Sequence, residues 1–365
     1  MRHRSLASVA VAALWAVFAV TAAPAAGQAP APAAKNDGKT TKAYVQPKTA
    51  DGQPDLSGYW TNFSVTPFER LKNVTKEFYT PQEAAQLEKD ANERDAAFRA
   101  KPGSIDDVHY DETQFGLSRS QAQFARSLRT SVIFDPPDGR IPPQTAEAQK
   151  RNAAITAARK QRGAYDAVQN MQYDDRCIIM DGLQPPMVIA ASQASYLTNY
   201  QIIQSPGYVT ILSERLHDVR TIPLDGRPFP SSNVRSWTGI SRGHWQGNTL
   251  VVETRNTNGK FQAAAPPAGT ISRQLIVGAT EDLRVIERFT RTDADSIKYQ
   301  FTIEDPKTWV SAWSGEVSFV KMDIQGPFFE MACHEGNGAP TNMLGGARRQ
   351  EKLAAEAAAK KKGSN

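Results

Sequence analysis

The second half of the sequence, from about residue 188, is a series of short β-rich runs separated by turn signals, and this pattern constrains the fold most. The turns include Ser205-Pro206-Gly207 and Asp225-Gly226. They recur at the spacing of about 8 to 12 residues that is typical of antiparallel sandwiches and barrels. Strands do not alternate with helices in this half, so a parallel sheet is not expected. The predicted strands cover residues 200–204, 208–212, 219–224, 249–254, 283–289, 297–303, 309–319 and 328–332.

The first half contains two helix signals and one short strand signal. Thr80, Pro81 and Glu83 form a capping box with proline at the first helical position, which predicts a helix from there to about residue 99. A second helix is expected over 145–162, a short strand over 131–134 and a short third helix after Met343. The sequence therefore predicts a mainly β fold: an elaborated antiparallel β-barrel with two or three peripheral helices.

The N-terminus has the three parts of a secretory signal peptide. A cationic start, Met1-Arg2-His3-Arg4, precedes an apolar run over 6–20 and then small residues such as Ala23-Pro24-Ala25. The apolar run is shorter than the roughly 20 residues that span a bilayer, and no later segment is apolar for longer. We therefore predict a signal peptide over 1–25, no transmembrane segment, and a periplasmic or secreted mature protein.

Composition divides the rest of the chain into three parts. Residues 26–50 are mostly Ala, Pro, Lys and Thr, which predicts a disordered linker. Residues 51–345 are expected to form a single β-rich domain with a helical insertion at about 80–165. Residues 346–365 are expected to be a basic, flexible tail.

The positive charge of the chain lies in its ends. The formal net charge is +5 and the pI is about 9.1. Residues 51–345 nevertheless carry a net charge of −4, and residues 346–365 carry +4. Because a nucleic-acid binder needs a basic folded surface, a nucleic-acid partner is not expected. The basic ends are interpreted as solvating tails that can touch anionic envelope components.

Cys177 and Cys333 are the two cysteines of the chain. An even pair in an oxidising compartment favours a disulfide, which in the chain-entropy view would contribute on the order of 4 to 5 kcal/mol for so long a loop. Two buried free thiols are the alternative.

Two resemblances bear on the family of the chain. Gly58-Tyr59-Trp60 in the expected opening strand resembles the Gly-x-Trp signature of lipocalin-type barrels, and implies an expanded lipocalin- or calycin-like barrel. Motifs across most of the mature chain resemble a family of uncharacterised exported bacterial proteins, which implies one fold and export but no activity. The sequence departs from this family at Gln246 and Asn248, where the family carries acidic residues, so no role is expected for carboxylates there. The motifs are Asp51-Gly52-x-Pro54-Asp55-Leu56-Ser57-Gly58-x-Trp60-Thr61, Arg176-Cys177-Ile178, Leu224-Asp225-Gly226-Arg227-Pro228, Ser241-Arg242-Gly243-x-Trp245-x-Gly247-x-Thr249-Leu250-Val251-Val252, Ala332-Cys333-His334-Glu335-Gly336-Asn337 and Gly345-Gly346-Ala347-Arg348.

Charged residues on apolar strand faces supply the candidate catalytic groups. Strand alternation over 211–222 places Glu214 and Arg220 on one face with Leu212, Leu216 and Ile222. Such a carboxylate and guanidinium should be paired, either through a turn at 216–218 or through Glu287 as a bridge. The candidate catalytic residues are Glu214, Arg220, Glu253, Glu287 and His334. A structural ion-pair network inside a barrel is the alternative reading of the carboxylates.

The candidate ligand-binding residues are Trp237, Trp245, His217 and Glu335. The histidines show no H-x-x-x-H spacing and the cysteines no C-x-x-C spacing, and no nucleotide-binding glycine loop is present, so neither a metal nor a cofactor is expected. The first functional hypothesis is a periplasmic or secreted protein that binds a small, largely apolar molecule. A cofactor-free acid/base enzyme (hydratase, lyase or isomerase) on the same barrel and a structural envelope protein are the alternatives.

Overall fold

A computed structural model describes residues 44–64, 66–97, 127–161, 163, 165–171, 173, 175–179, 185–188, 198–260, 278–324 and 327–363. Its ten strands form one sheet. The predicted signal peptide and most of the predicted linker lie outside the described residues. The strands are β1 (Gly58–Thr61), β2 (Ile133–Asp135), β3 (Asn199–Ser205), β4 (Tyr208–Ser213), β5 (Val219–Pro223), β6 (Ile240–Gln246), β7 (Thr249–Arg255), β8 (Arg284–Arg291), β9 (Ser296–Glu304) and β10 (Trp313–Lys321).

Nine of these strands form a nearly closed antiparallel barrel, which confirms the predicted fold class. The hydrogen-bonded order is β5-β4-β3-β1-β10-β9-β8-β7-β6, and β2 pairs with β10 beside this ring. Since β1 pairs with both β3 and β10, the strands follow one another around the barrel in chain order. Each pairing between neighbouring strands along this path is antiparallel.

A ring with an odd number of strands cannot be antiparallel throughout, so one pair of neighbouring strands must be parallel. If each strand runs opposite to its hydrogen-bonded neighbour, β5 and β6 at the two ends of the path must run in the same direction. They meet without a backbone ladder, and side chains fill the contact between them. A Cβ on Gly243 of β6 would lie 2.8 Å from both Ile222 Cγ2 and Leu224 Cδ2. We call this β5–β6 contact the seam; the absence of a side chain at Gly243 lets it close.

Aromatic side chains fill much of the barrel interior. Tyr200 stacks on Phe319 at 5.5 Å between ring centroids, and Tyr299 lies 4.8 Å from Phe289 and 5.3 Å from Phe319. Trp60 of the Gly-x-Trp motif is fully buried, its Nε1 donates to Leu56 O over 3.0 Å, and Arg291 lies over its ring at 5.4 Å. The strands alternate between these buried residues and exposed or half-buried ones, as one face of a barrel wall requires.

Within the described residues, three α-helices accompany the barrel: α1 (Pro81–Ala97), α2 (Ala146–Gln161) and α3 (Ala339–Gly363). The predicted capping box of α1 is present, because Thr80 N donates to Glu83 Oε2 over 2.8 Å and Glu83 N donates to Thr80 Oγ1 over 3.2 Å. None of the helices in the described part of the chain is long and apolar enough to cross a membrane.

Three expectations about single elements differ from the structure. Residues 328–332 contain no strand, although Phe328 is buried. β6 was not expected, because Arg242, Gly243 and His244 interrupt its apolar pattern. α3 is longer than the expected short helix and runs through most of the basic tail, since its many alanines favour helix.

Candidate functional site

Five polar side chains form a hydrogen-bonded cluster inside the barrel, which we call the polar core: Arg220, Ser241, Thr254, Glu287 and Tyr299. Arg220 on β5 donates from Nη1 to Glu287 Oε1 on β8 over 3.1 Å, and from Nη2 to Glu287 Oε2. The two side chains are 5% and 0% exposed. Each charge therefore offsets the desolvation of the other, as expected for two such groups on an apolar face. Glu287 shares that face with Val285 and Phe289.

The other donors of Arg220 reach across the seam. Its Nε donates to Ser241 Oγ on β6 over 2.9 Å, and its Nη2 donates to Thr254 Oγ1 on β7 over 3.0 Å. The Ser241 and Thr254 hydroxyls are 2.8 Å apart. One guanidinium thus connects β5 to three following strands at the place where the backbone ladder is missing. This geometry fits a clamp that closes the barrel, the structural reading of the ion pair.

Tyr299 links the polar core to the buried segment 185–188. Its hydroxyl donates to Glu287 Oε1 over 2.8 Å and accepts a hydrogen bond from Met187 N over 2.9 Å. Asn62 Nδ2 donates to Met187 O, and Met187 is 1% exposed. Burial, with the neighbouring Glu287 carboxylate, raises the pKa of Tyr299 well above its ordinary value. The phenol therefore stays protonated and remains a donor.

The connection between β4 and β5 is a strained turn at one end of the barrel, which we call the mouth. The mouth turn comprises residues 213–218, with a 3-10 turn at Arg215–His217. Leu216 and His217 have φ values of 57° and 53°, which are uncommon for residues other than glycine. Backbone hydrogen bonds hold the turn, among them Ser213 N to Asp218 O at 2.9 Å and Glu214 N to Asn199 O at 3.1 Å. Strain of this kind concentrates at functional sites.

The carboxyl groups of the mouth turn keep their protons to a higher pH than exposed carboxyl groups do. Burial raises the pKa of Glu214, and the hydrogen bond from Asn199 Nδ2 at 2.7 Å opposes this only in part. Burial also raises the pKa of Asp218. Raised carboxyl pKa values suit general acid/base work and the binding of uncharged ligands.

Ser213 Oγ and His217 Nδ1, both in the mouth turn, are buried without a hydrogen-bond partner among the described residues. Ser213 is 1% exposed and shares the inner face of β4 with Val209 and Ile211. A buried polar atom without a partner costs about 1 to 3 kcal/mol. The mouth turn therefore presents hydrogen-bonding atoms that the fold itself does not use.

Aromatic residues lie at the same end of the barrel. Trp237 precedes the start of β6, and its ring meets that of Tyr173 edge to face at 4.9 Å, with Lys260 Nζ 5.5 Å from the Trp237 ring. Ile178 N donates to Tyr173 O over 2.9 Å, and the adjacent Cys177 is paired with Cys333 at a Cα–Cα distance of 5.8 Å. The predicted cysteine pairing thus anchors the segment that carries Tyr173.

Residues His334 and Glu335 follow this cysteine pair directly and are exposed. They lie on the turn that the disulfide anchors, outside the polar core. Their backbone hydrogen bonds are local: Glu335 N donates to Ala332 O over 3.2 Å, and His334 O accepts from Asn337 N over 3.3 Å.

Two other candidate residues lie apart from the mouth. Glu253 is on the outer face of the barrel, where it pairs with Arg284 and Arg255. Burial acts to raise its pKa, but the hydrogen bonds from these two arginines lower it overall. Trp245 is near the end of β6 that is remote from the mouth and packs against the core. Neither residue meets Glu214 or His217.

The predicted shared face of Glu214 and Arg220 was wrong. Leu212 is half-buried on the outer side of β4, whereas Arg220 and Ile222 face the interior from β5. The mouth turn breaks the alternation between the two strands, so parity cannot be carried through it. Glu214 bonds Asn199, and Arg220 bonds Glu287 instead of Glu214.

Sequence reasoning missed several residues of both clusters. Tyr299 alternates with Ile297 and Phe301 along β9, so it looks like one more core aromatic. Ser213 ends a strand and Asn199 begins one, positions where small polar residues are ordinary. Within the polar core, the sequence indicated only Glu287 and Arg220, because they are charged residues on apolar strand faces.

No group of three or more His, Cys, Asp or Glu side chains in the described part of the chain is arranged to hold a metal ion. Comparison with known proteins gave no matching family, no matching curated protein and no matching solved structure. The site must therefore be interpreted from its own geometry.

Proposed function

We propose that this protein binds a small, largely apolar molecule at the mouth of its barrel, with a hydrogen-bonding group of the ligand held by the mouth turn. The observation that carries the proposal is the pair of buried atoms without partners, Ser213 Oγ and His217 Nδ1. A ligand hydroxyl or carbonyl would satisfy them and remove their desolvation cost.

The surroundings support an apolar ligand with a polar end. Trp237 and Tyr173 provide aromatic surface at the mouth end, and binding sites combine such surface with a few polar anchors. Burial raises the pKa of Glu214 and of Asp218, so each carboxyl group favours its neutral form more than an exposed one would, which suits an uncharged ligand. The aromatic filling of the barrel interior favours a ligand at the mouth over one deep in the lumen.

The test compares ligand binding with stability in the Ser213→Ala variant. Full-length protein is screened for thermal stabilisation against small apolar alcohols, ketones and esters, and binding is followed by tryptophan fluorescence. We expect Ser213→Ala to leave the melting temperature unchanged or raised, because the hydroxyl has no partner, and to weaken binding about tenfold, the value of one hydrogen bond.

The control is Ser318→Ala on the outer side of β10, which should change neither the melting temperature nor ligand binding. Equal binding by Ser213→Ala and wild type would refute the site. So would a marked loss of stability in Ser213→Ala, because the hydroxyl would then serve the fold.

A second candidate function is cofactor-free acid/base catalysis at the same mouth. The raised pKa of Glu214, close to His217 in the turn, is the observation that favours it. For any compound that the screen finds to be converted, Glu214→Gln should abolish turnover and keep binding. Turnover that survives this substitution would exclude Glu214 as the acid or base.

We also propose that the protein works in the periplasm or outside the cell. A cysteine pair at disulfide distance fits an oxidising compartment. Mass spectrometry of non-reduced exported protein should find the peptides of Cys177 and Cys333 linked. Two free thiols in that material would contradict the assignment.

A further inference from the structure

The C-terminal helix α3 is unusual in how little of it touches the rest of the protein. It spans Ala339–Gly363, and every side chain over 351–361 is exposed. Between Arg348 and Lys362, the helix carries six basic residues and two acidic ones. We propose that α3 docks the protein on an anionic phospholipid surface.

Half-buried positions show which side of α3 faces the barrel domain. Met343, Leu344 and Ala347 are half-buried, whereas Arg349 and Lys352 are exposed. With 3.6 residues per turn, Lys352 lies about 180° from Met343 and Arg349 about 160° from Ala347. These two basic side chains therefore point away from the rest of the protein.

Arg348 fixes the start of this exposed stretch. Its Nη2 donates to Tyr165 O over 2.9 Å, and its Nη1 donates to Asp166 O over 3.5 Å. The helix is thus attached at Arg348, and the next three to four turns lie beyond the attachment. At about 1.5 Å per residue, the exposed part extends roughly 20 Å from that point.

Favourable interaction with the helix dipole explains only some of the basic residues of α3. Lys360 and Lys361 lie in the last turns, where cations stabilise a helix C-terminus within about one turn. Arg349 and Lys352 lie 14 and 11 residues before Gly363 at the end of α3, about two turns or more too early for this effect. Glu356, four residues after Lys352, offsets part of this charge, and the remainder is available to a planar anionic partner.

An exposed leucine on the basic side favours lipid over nucleic acid. Leu353 is 48% exposed and follows Arg349 by four residues, so the two lie on the same face of the helix. Helices that lie on membranes carry both basic residues and apolar side chains such as leucine. Residues 51–345 carry a net charge of −4, which would repel a long polyanion lying along the protein.

The test is co-sedimentation of the full-length protein with lipid vesicles. One set contains about one third phosphatidylglycerol in phosphatidylcholine and the other phosphatidylcholine alone, both at about 50 mM salt. The variant Arg349→Gln/Lys352→Gln/Lys361→Gln removes three exposed charges from α3. The control variant Lys72→Gln/Lys89→Gln/Lys150→Gln removes three exposed charges elsewhere.

We expect wild type and the control variant to bind only the anionic vesicles, and the α3 variant to bind them about a hundredfold more weakly, since each basic residue contributes about fivefold. Binding should fall steeply at about 500 mM salt. Equal binding by the two variants, or no binding of wild type to anionic vesicles, would overturn the proposal. Retention of wild type on an RNA or DNA oligonucleotide but not on vesicles would overturn it too.

Discussion

Glu287 and Glu253 lie on neighbouring strands but on opposite faces of the barrel wall. Glu287 faces the interior opposite Val252, and Glu253 faces outward opposite Ile286. The interior carboxylate is fully buried and held by Arg220 and Tyr299, whereas the exterior one is shared by two half-exposed arginines. Strand alternation gives Glu287 the apolar neighbours Val285 and Phe289 and gives Glu253 the apolar neighbour Val251, so the sequence alone does not show that Glu253 faces outward.

We predict that Glu287→Gln destabilises the protein by about 3 to 5 kcal/mol, because it leaves the buried Arg220 charge without its partner. Urea unfolding measures the free energy. Glu253→Gln is the matched control and should cost less than about 1 kcal/mol, since its ion pairs are partly exposed to water. Similar losses in the two variants would contradict the clamp assigned to Arg220.

The raised pKa of Glu214 gives a pH dependence of known sign. The folded protein holds this proton more tightly than the unfolded chain, so ionisation of Glu214 costs stability as the pH rises from about 4 through the raised value. Glu214→Gln should therefore melt above wild type at neutral pH, and the difference should vanish below a pH of about 4.

Glu83 provides a control of the opposite sign. Hydrogen bonds from Lys76 and from Thr80 N lower its pKa to about 2. Its contribution to stability is present at neutral pH and is lost as the pH falls towards that value. Glu83→Gln should thus melt below wild type at neutral pH. The same sign in both variants would show that burial does not control the pKa of Glu214.

At the scale of elements, the seam between β5 and β6 is the weakest join of the barrel. Antiparallel neighbours elsewhere share a backbone ladder, but here the join depends on Gly243, Ile222 and the hydrogen bonds of Arg220. A sequence predicts hairpins because their turns are local. It does not predict the seam, since β5 and β6 are joined by a 16-residue connection and their contact depends on closure of the whole ring.

We predict that Gly243→Ala destabilises the protein by about 1 to 3 kcal/mol, the usual cost of overpacking. Its Cβ would lie 2.8 Å from Ile222 Cγ2 and Leu224 Cδ2, so the seam would have to open slightly. Gly345→Ala in α3 is the control, because a Cβ there meets no atom within 4 Å and alanine favours helix. Thermal unfolding of both variants tests this, and a neutral Gly243→Ala would show that the seam has room.

At the scale of the whole molecule, local signals predicted the barrel class, α1 with its capping box, and most strands. They did not predict β6, because its residues 241–244 (Ser-Arg-Gly-His), which face Thr254, Glu253, Val252 and Val251 on β7, contain no apolar run. They also did not show that Glu214 and Arg220 belong to two different clusters, the mouth turn and the polar core. Arg220 and Glu287 lie 67 positions apart in the chain, and only closure of the barrel brings them together.

The exposure of α3 leads to a prediction about the protein as a whole. A chain that ends at Gln350 lacks the part of α3 whose side chains are exposed over 351–361. Because that part buries almost no apolar surface, its removal should leave the melting temperature unchanged within error. Calorimetry of the truncated and full-length proteins measures this.

A second truncation makes the result interpretable. A chain that ends at Ala332 also loses Cys333 and therefore the link to Cys177, for which the chain-entropy estimate is on the order of 4 to 5 kcal/mol. If both truncations melt like the full-length protein, the cysteine pair contributes little to stability. If both melt far below it, the end of α3 packs in solution, and its basic side could not be free to meet a membrane. We expect an unchanged melting temperature for the first truncation and a much lower one for the second. This result would show that the turn at Cys333 stabilises the fold, whereas the exposed part of α3 does not.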